Sequence, residues 1–209
     1  VVRLLSYLPG DVVDCAATDA RQRRVLGATL AHLTLALHGF SHPAASEERS
    51  WDLQHLASLR DLLPWCPGDV RNDVERTLDR FDTFVAPRLP QVRHQVVHND
   101  LNPENVLVDP TDEDYVTGVL DFGDMAHTAL VVDLATAMAY AVPLTEVADP
   151  WAAPYDLLEG YVAVLPLTPD ELALVPDLVR GRQAQRLLLN SLLARRDGRG
   201  DLDRDRSEE

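Results

Sequence analysis

The sequence of 209 residues contains no lysine and no isoleucine, so arginine supplies every basic side chain other than the seven histidines. It has two cysteines, Cys15 and Cys66, without the spacing of a disulfide framework or of a metal site. No apolar run approaches the length of a membrane span, and the first residues lack the pattern of a signal peptide. These absences predict a cytoplasmic protein with free thiols, and they argue against a membrane partner.

Positive charge is also scarce, since 19 arginines face 34 acidic residues and the formal net charge is −15. An acidic chain would repel the phosphates of nucleic acid, so no nucleic-acid partner is expected. It would attract cationic small molecules such as amines, although solubility alone also accounts for the charge. The length suits one well-packed domain or most of a two-lobed one.

The pattern of apolar residues predicts a mainly helical chain with a small β insert, which is an α+β fold. The predicted helices are 19–38, 53–63, 69–86, 131–141, 155–164 and 169–196. The last of these carries Pro176 and Gly181, where it could break. The predicted strands are 1–8, 95–97, 106–108 and 116–120, the last two pairing as a hairpin. The segment 195–209 is almost wholly charged and is predicted to be disordered.

The motif of the chain lies around that hairpin. His98, Asp100 and Asn105 follow the spacing H-x-D-x-x-x-x-N, and Asp121-Phe122-Gly123 comes after the second hairpin strand. This order is typical of phosphoryl transfer, which needs one group to orient the attacking hydroxyl and oxygen ligands to hold magnesium on the nucleotide phosphates. Because Asn105 and Asp121 flank paired strands, we expect them to lie close together.

These residues resemble those of the aminoglycoside phosphotransferase-like kinases, also called the choline/homoserine/hydroxylysine kinase-like family. The stretch G-V-L-D-F-G-D-M at 118–125 and V-D-L-A at 132–135 resemble the hydroxylysine-kinase-like branch most. Trp51-Asp52 resembles a further family element, and the likeness extends over about 3–161. It implies a protein-kinase-like C-terminal lobe over 11–194, after a hinge strand and linker at 1–10.

The resemblance implies a role for each matching residue. Asp100 would be the catalytic base, and Asn105 and Asp121 would hold Mg²⁺, which prefers hard oxygen donors. His98 would shape the loop by hydrogen bonds, and Asp133 would brace that loop.

Two further assignments rest on the same resemblance. Asp124 would assist the metal or a substrate amine, or else stabilise its loop. The backbone around Ser6, Tyr7 and Leu8 would bind the adenine ring at the hinge.

The resemblance predicts an ATP- or GTP-dependent kinase that phosphorylates a hydroxyl of a small, amine-bearing acceptor. The family's N-terminal lobe supplies a glycine-rich loop and a lysine, and neither is in this sequence. We therefore expect that lobe to lie upstream or in another chain, and weak turnover without it. The alternative is a non-catalytic or incomplete kinase-like binding module. A protein kinase is disfavoured, because no Ala-Pro-Glu motif follows Asp121.

Overall fold

The computed structural model describes residues 6–15, 17–112, 114–143 and 145–196. Its α-helices are α1 (Ala20–Ala36), α2 (Arg71–Arg80), α3 (Leu130–Ala141), α4 (Ala152–Val164) and α5 (Pro169–Arg196). Its strands are β1 (Asp11–Val12), β2 (His94–Val97), β3 (Val106–Val108), β4 (Val116–Val119) and β5 (Ala126–Ala129). Short 3₁₀ segments cover Pro43–Ser46, Leu53–Trp65, Leu89–Gln91, Pro103–Asn105 and Phe122–Asp124, and a π-helical turn covers Phe81–Val85.

The strands form two small antiparallel sheets. One has the order β1-β3-β4, in which Val106 pairs with Val119 at the open end of the hairpin. The other joins β2 to β5, with Val97 opposite Ala126. Both sheets therefore end beside the segments that carry the motif. The predicted hairpin, now β3 and β4, is confirmed.

Helix α3 lies at the centre of the helical layer, because its residues from Leu130 to Ala139 are all buried. Helix α5 packs against α3 and against the segment Leu53–Trp65 with buried leucines at Leu174, Leu178 and Leu188. Each fully buried leucine contributes about 1.5–3 kcal/mol of transfer free energy. Helices α3 and α5 thus build the core against which the motif segments lie.

Helices α1 and α4 cross through two glycines. A Cβ atom on Gly27 would overlap the Leu157 carbonyl, and one on Gly160 would overlap the Arg24 carbonyl. Arg23 also pairs with Asp156 at 2.7 Å across the same crossing. The two backbones therefore touch, and only glycine fits at either point.

The structure corrects several predicted boundaries. The strand predicted over 1–8 is absent from Ser6–Leu8, because Pro9 and the left-handed Gly10 (φ 131°) interrupt pairing before β1; residues 1–5 lie outside the described part. Helix α5 runs unbroken through Pro176, since its buried face packs on both sides of that residue. Arg195 and Arg196, predicted to begin a disordered tail, are helical, and Arg195 lies over Trp65; the rest of that segment, 197–209, lies outside the described residues.

Two other corrections concern short elements. The predicted helix 69–86 is α2 followed by a π-helical turn, Phe81–Val85, and it begins after Val70 instead of Asp69. The strand β5 had no sequence prediction, because its four residues include two alanines and only one β-branched side chain. Within the described ranges, no helix is long and apolar enough to cross a membrane.

Candidate active site

The loop after β2 carries the proposed base, and its backbone is held in an unusual conformation. Asn99 has a left-handed φ of 68°, which asparagine tolerates better than most residues. Its N–H donates to Asp133 Oδ1 at 2.7 Å, and its side-chain amide donates to the Asp124 carbonyl at 3.2 Å. This turn directs the chain from the buried strand to the half-buried Asp100.

The Asp100 carboxylate has donors on both oxygens. Asn102 Nδ2 donates to Oδ2 at 2.8 Å, and Asn105 Nδ2 donates to Oδ2 at 3.2 Å and to the Asp100 carbonyl at 2.9 Å. The other oxygen, Oδ1, accepts from Arg182 NH2 at 2.7 Å. The carboxylate orientation is therefore fixed by three side chains before any substrate binds.

The electrostatics of Asp100 reflect two opposing effects. Burial raises the pKa of its carboxyl above the ordinary value, and the negative charge of Asp124 raises it further. The charge of Arg182, the hydrogen bond from Asn102 and the nearby His98 lower the pKa. Such a carboxylate is suited to accept the proton that a hydroxyl group releases when it acts as a nucleophile.

His98 is fully buried and links two loops. Its Nδ1 accepts the Asp100 N–H at 3.3 Å, so its Nε2 carries the proton and donates to the Leu120 carbonyl at 2.8 Å. The ring also meets Phe122 edge to face, with centroids 5.0 Å apart. These contacts join the Asp100 loop to the segment that precedes Asp121, and the loop-shaping role of His98 stays a prediction.

The two predicted metal ligands lie at the same end of the hairpin. The Leu120 N–H donates to the Asn105 carbonyl at 2.8 Å, one step beyond the Val106–Val119 pair, and Asp121 follows directly. Asp121 is exposed and left-handed (φ 53°), and its Oδ1 accepts the Gly123 N–H at 3.0 Å. The hairpin thus brings together the residues that the sequence predicted to be neighbours.

The remaining predicted residues are placed around this centre. Asp124 is half-buried, and Asp133 is fully buried on α3. Burial raises the pKa of Asp133 to about 6, and its Oδ2 has no hydrogen-bond partner among the described residues.

Of the proposed hinge residues Ser6, Tyr7 and Leu8, the last lies against Gly118 of β4, and the carbonyl of the following Pro9 accepts a hydrogen bond from Thr117. Their backbone is not regular secondary structure, and Tyr7 is 87% exposed. The adenine-binding role of this segment stays a prediction.

Sequence reasoning missed Arg182, which is the most buried cation at the site. It lies on α5, 82 residues after Asp100, so no local motif connects the two. A signal was present, since Arg182 sits four residues after Leu178 on the apolar face of the helix. An arginine on a core-facing stripe needs a buried partner, and an acidic motif residue was the available candidate.

The chain matches the phosphotransferase enzyme family, APH, over residues 1–167. The chain belongs to this family. Among curated relatives, the hydroxylysine kinase of Mus musculus is 31% identical over 200 residues, covering 90% of this chain and 53% of the relative. The homoserine kinase of Methylobacillus flagellatus is 29% identical over 193 residues, covering 85% and 52%. The chain thus spans about half the length of these relatives.

Solved structures share the fold. An amicoumacin kinase, hAmiN, in complex with AMP-PNP and Ca²⁺, matches with a TM-score of 0.62 and 19% identity, over 90% of this chain and 56% of that one. The aminoglycoside phosphotransferase APH(3'')-Id of Streptomyces rimosus, in complex with ADP and streptomycin, matches with a TM-score of 0.56 and 22% identity, over 85% and 67%. Identities this low show the fold alone. The predicted family and the kinase-like α+β fold are confirmed, whereas the missing N-terminal lobe stays a prediction.

Proposed function

We propose that this protein is a small-molecule kinase that transfers the γ-phosphate of ATP or GTP to a hydroxyl of an amine-bearing acceptor. One observation carries the proposal: the half-buried Asp100 carboxylate is oriented by three side chains and lies in the same loop as Asn105, which hydrogen bonds to it. Phosphoryl transfer depends mainly on positioning and electrostatics, and a fixed carboxylate beside oxygen ligands meets both needs.

The chemistry at Asp100 follows from its surroundings. The acceptor hydroxyl would donate a hydrogen bond to the carboxylate, and its proton would pass to Asp100 as the acceptor oxygen bonds to the γ-phosphorus. The bond from that phosphorus to the β–γ bridging oxygen breaks, and the nucleoside diphosphate leaves. Because the carboxylate is already hydrogen-bonded, no side-chain rearrangement is needed at the moment of transfer.

The residues present fit a magnesium ion. Asn105 uses its amide nitrogen on Asp100, which leaves its amide oxygen as the atom available to a metal, and Asp121 offers an exposed carboxylate. No cluster of three or more His, Cys, Asp or Glu in the described ranges could hold a metal alone. This suits Mg²⁺, which usually binds through one or two protein oxygens together with phosphates and water. When bound, it neutralises phosphate charge and aligns the transfer.

The proposed class of acceptor is supported by the kinases to which this chain is similar and by its net charge. The curated relatives are hydroxylysine and homoserine kinases, and both of those compounds carry an amine and a hydroxyl. The net charge of −15 would attract such cations. The alternative, a non-catalytic binding module, is favoured only by the lack of lysine and of a glycine-rich loop in these 209 residues.

A direct turnover assay separates the two functions. The natural protein that carries this sequence is incubated with Mg²⁺, γ-labelled ATP or GTP, and hydroxylysine, homoserine, choline or an aminoglycoside. A kinase forms a labelled O-phosphate and one diphosphate per product. Absence of label in every acceptor, together with no heat on titration with Mg²⁺–ATP or Mg²⁺–GTP, would refute the kinase. Heat without turnover would support the binding module.

A further inference from the structure

A fully buried arginine is in direct contact with the proposed base. Arg182 has none of its side chain exposed, and its NH2 lies 2.7 Å from Asp100 Oδ1, whereas Asp100 keeps 18% of its side chain exposed. The arginine is thus behind the carboxylate, on the protein side, and the solvent side of the carboxylate stays open to a substrate. A charged pair of this kind is costly to bury unless its geometry is well satisfied.

The guanidinium group is itself held in place. Its NH1 donates to the Trp51 carbonyl at 2.8 Å and to Gln185 Oε1 at 2.9 Å, and Gln185 Nε2 donates to the Ser50 carbonyl at 2.9 Å. The rings of Trp51 and Tyr140 flank it, with centroids 4.9 Å and 5.8 Å from the guanidinium carbon. These contacts hold the guanidinium group against Asp100, while its buried Nε has no hydrogen-bond partner among the described residues.

We propose that Arg182 is a positioning residue for phosphoryl transfer, which fixes Asp100 Oδ1 and so presents Oδ2 to the acceptor hydroxyl. This inference rests on the proposed function. The two oxygens differ in their donors, since Oδ1 has a charged guanidinium and Oδ2 has the neutral amides of Asn102 and Asn105. Protonation of either oxygen neutralises the carboxylate, but a proton on Oδ1 would also occupy the oxygen that accepts from the guanidinium. The proton from the acceptor therefore goes to Oδ2, which leaves Oδ1 free to accept from Arg182.

The position requires arginine. Arg182 directs three donor contacts at once, to Asp100, to the Trp51 carbonyl and to Gln185. A lysine has the same charge but only a compact ammonium group, which does not span these three acceptors. Arg182→Lys therefore keeps the charge and loses the geometry, which separates positioning from simple charge balance.

A second ion pair offers a matched control. Arg93 donates to both carboxylate oxygens of the fully buried Glu171, at 2.8 Å and 2.6 Å. This pair also fastens α5 to the rest of the chain. In the part of the chain that the structure describes, the Arg93 side chain bonds to Glu171 and to the Pro166 carbonyl, and not to the Asp100 loop. Arg93→Met therefore removes an arginine from a buried carboxylate without touching the site.

The experiment compares Arg182→Met, Arg182→Lys and Arg93→Met in the natural protein, with kcat and KM for nucleotide and acceptor and a thermal melt for each. We expect Arg182→Met to lower kcat about 100-fold while KM for nucleotide stays within about twofold, since a displaced group loses this much. Arg182→Lys should recover only part of the loss. Arg93→Met should lower the melting temperature and leave kcat near that of the natural protein.

The outcomes that overturn the inference are distinct from those that overturn the kinase. A folded Arg182→Met protein with unchanged kcat, or a kcat loss equal to that of Arg93→Met, shows that Arg182 is structural only. If Arg182→Met does not fold, full activity of Arg182→Lys refutes the geometric role, and a reduced kcat at unchanged nucleotide KM supports it. A natural protein that phosphorylates no acceptor refutes the proposed function and this inference together.

Discussion

The ring of His98 donates a hydrogen bond to the carbonyl of Leu120 at 2.8 Å, across 22 residues of sequence. His98 belongs to the loop of Asp100, and Leu120 directly precedes Asp121. The bond therefore sets the spacing between the proposed base and one proposed metal ligand. His98 is fully buried and Leu120 is half-buried, so loss of the bond leaves polar groups with little access to water.

Replacing His98 with Leu should weaken both stability and activity. The change leaves the Leu120 carbonyl and the Asp100 N–H without a partner, which costs about 2–4 kcal/mol of unfolding free energy. We expect kcat to fall about tenfold, because the loops lose their fixed spacing. Urea denaturation and a turnover assay measure both effects. His127→Leu, at an exposed histidine on β5, is the control; equal stability of the two variants would contradict the account.

Replacing Gly160 with Ala should strongly destabilise the protein. The added methyl would overlap the Arg24 carbonyl at the crossing of α1 and α4, and the helices must separate to accept it. We expect a loss of about 3 kcal/mol or more in the free energy of unfolding. Gly68→Ala, where a methyl meets open space, should change it little. Similar melting temperatures for the two variants would disprove the close contact.

Asp133 should make stability depend on pH. Burial raises the pKa of its carboxyl from 3.8 to about 6, so the folded state binds the proton more tightly than the unfolded chain. The contribution of the protonated carboxyl to the free energy of unfolding is complete below pH 3.8, and it is lost as pH rises through about 6. Asp133→Asn keeps an acceptor for the Asn99 N–H and removes the charge.

The measurement is the unfolding free energy of both proteins at several pH values. Between pH 3.8 and 6 the natural protein should lose up to about 3 kcal/mol relative to Asp133→Asn. Parallel stability curves over that range would show that Asp133 does not titrate as its burial requires.

Substitutions at the proposed metal ligands should change the magnesium requirement. Asn105→Ala and Asp121→Asn each remove or weaken one oxygen donor, so half-maximal activity should need about tenfold more Mg²⁺. The exposed Glu75→Gln on α2 is the control, because it removes a carboxylate far from the loop in sequence. A magnesium titration of turnover measures the effect, and unchanged curves for both ligand variants would remove these residues from the metal site.

Local patterns gave much of the fold and the centre of the site. The strand pairing of Val106–Val108 with Val116–Val119 followed from β-branched runs around an acidic turn, and it placed Asn105 beside Asp121 correctly. The helices α1 and α3 followed from apolar spacing and, for α1, from the cap at Asp19. These features depend on residues that are close together in the sequence, so the local pattern of residues predicts them.

Contacts between residues far apart in the sequence could not be predicted in the same way. The Arg182–Asp100 pair depends on how α5 packs once all the helices have assembled. The two residues are 82 positions apart, so no pattern of neighbouring residues predicts their contact. The strand β5 is set by its partner β2, since its alanines have little intrinsic preference for strand. The glycine contact between α1 and α4 likewise depends on the crossing of two distant helices.

The most direct test of the central claim is Asp100→Asn in the natural protein, assayed for transfer from γ-labelled nucleotide to the acceptor it uses best. The asparagine keeps an oxygen for Arg182, so the variant should melt as a folded protein. It loses the proton acceptor, so kcat should fall by about 10²–10⁴-fold with KM for nucleotide little changed. A folded Asp100→Asn protein with the natural kcat would contradict the assignment of Asp100 as the base.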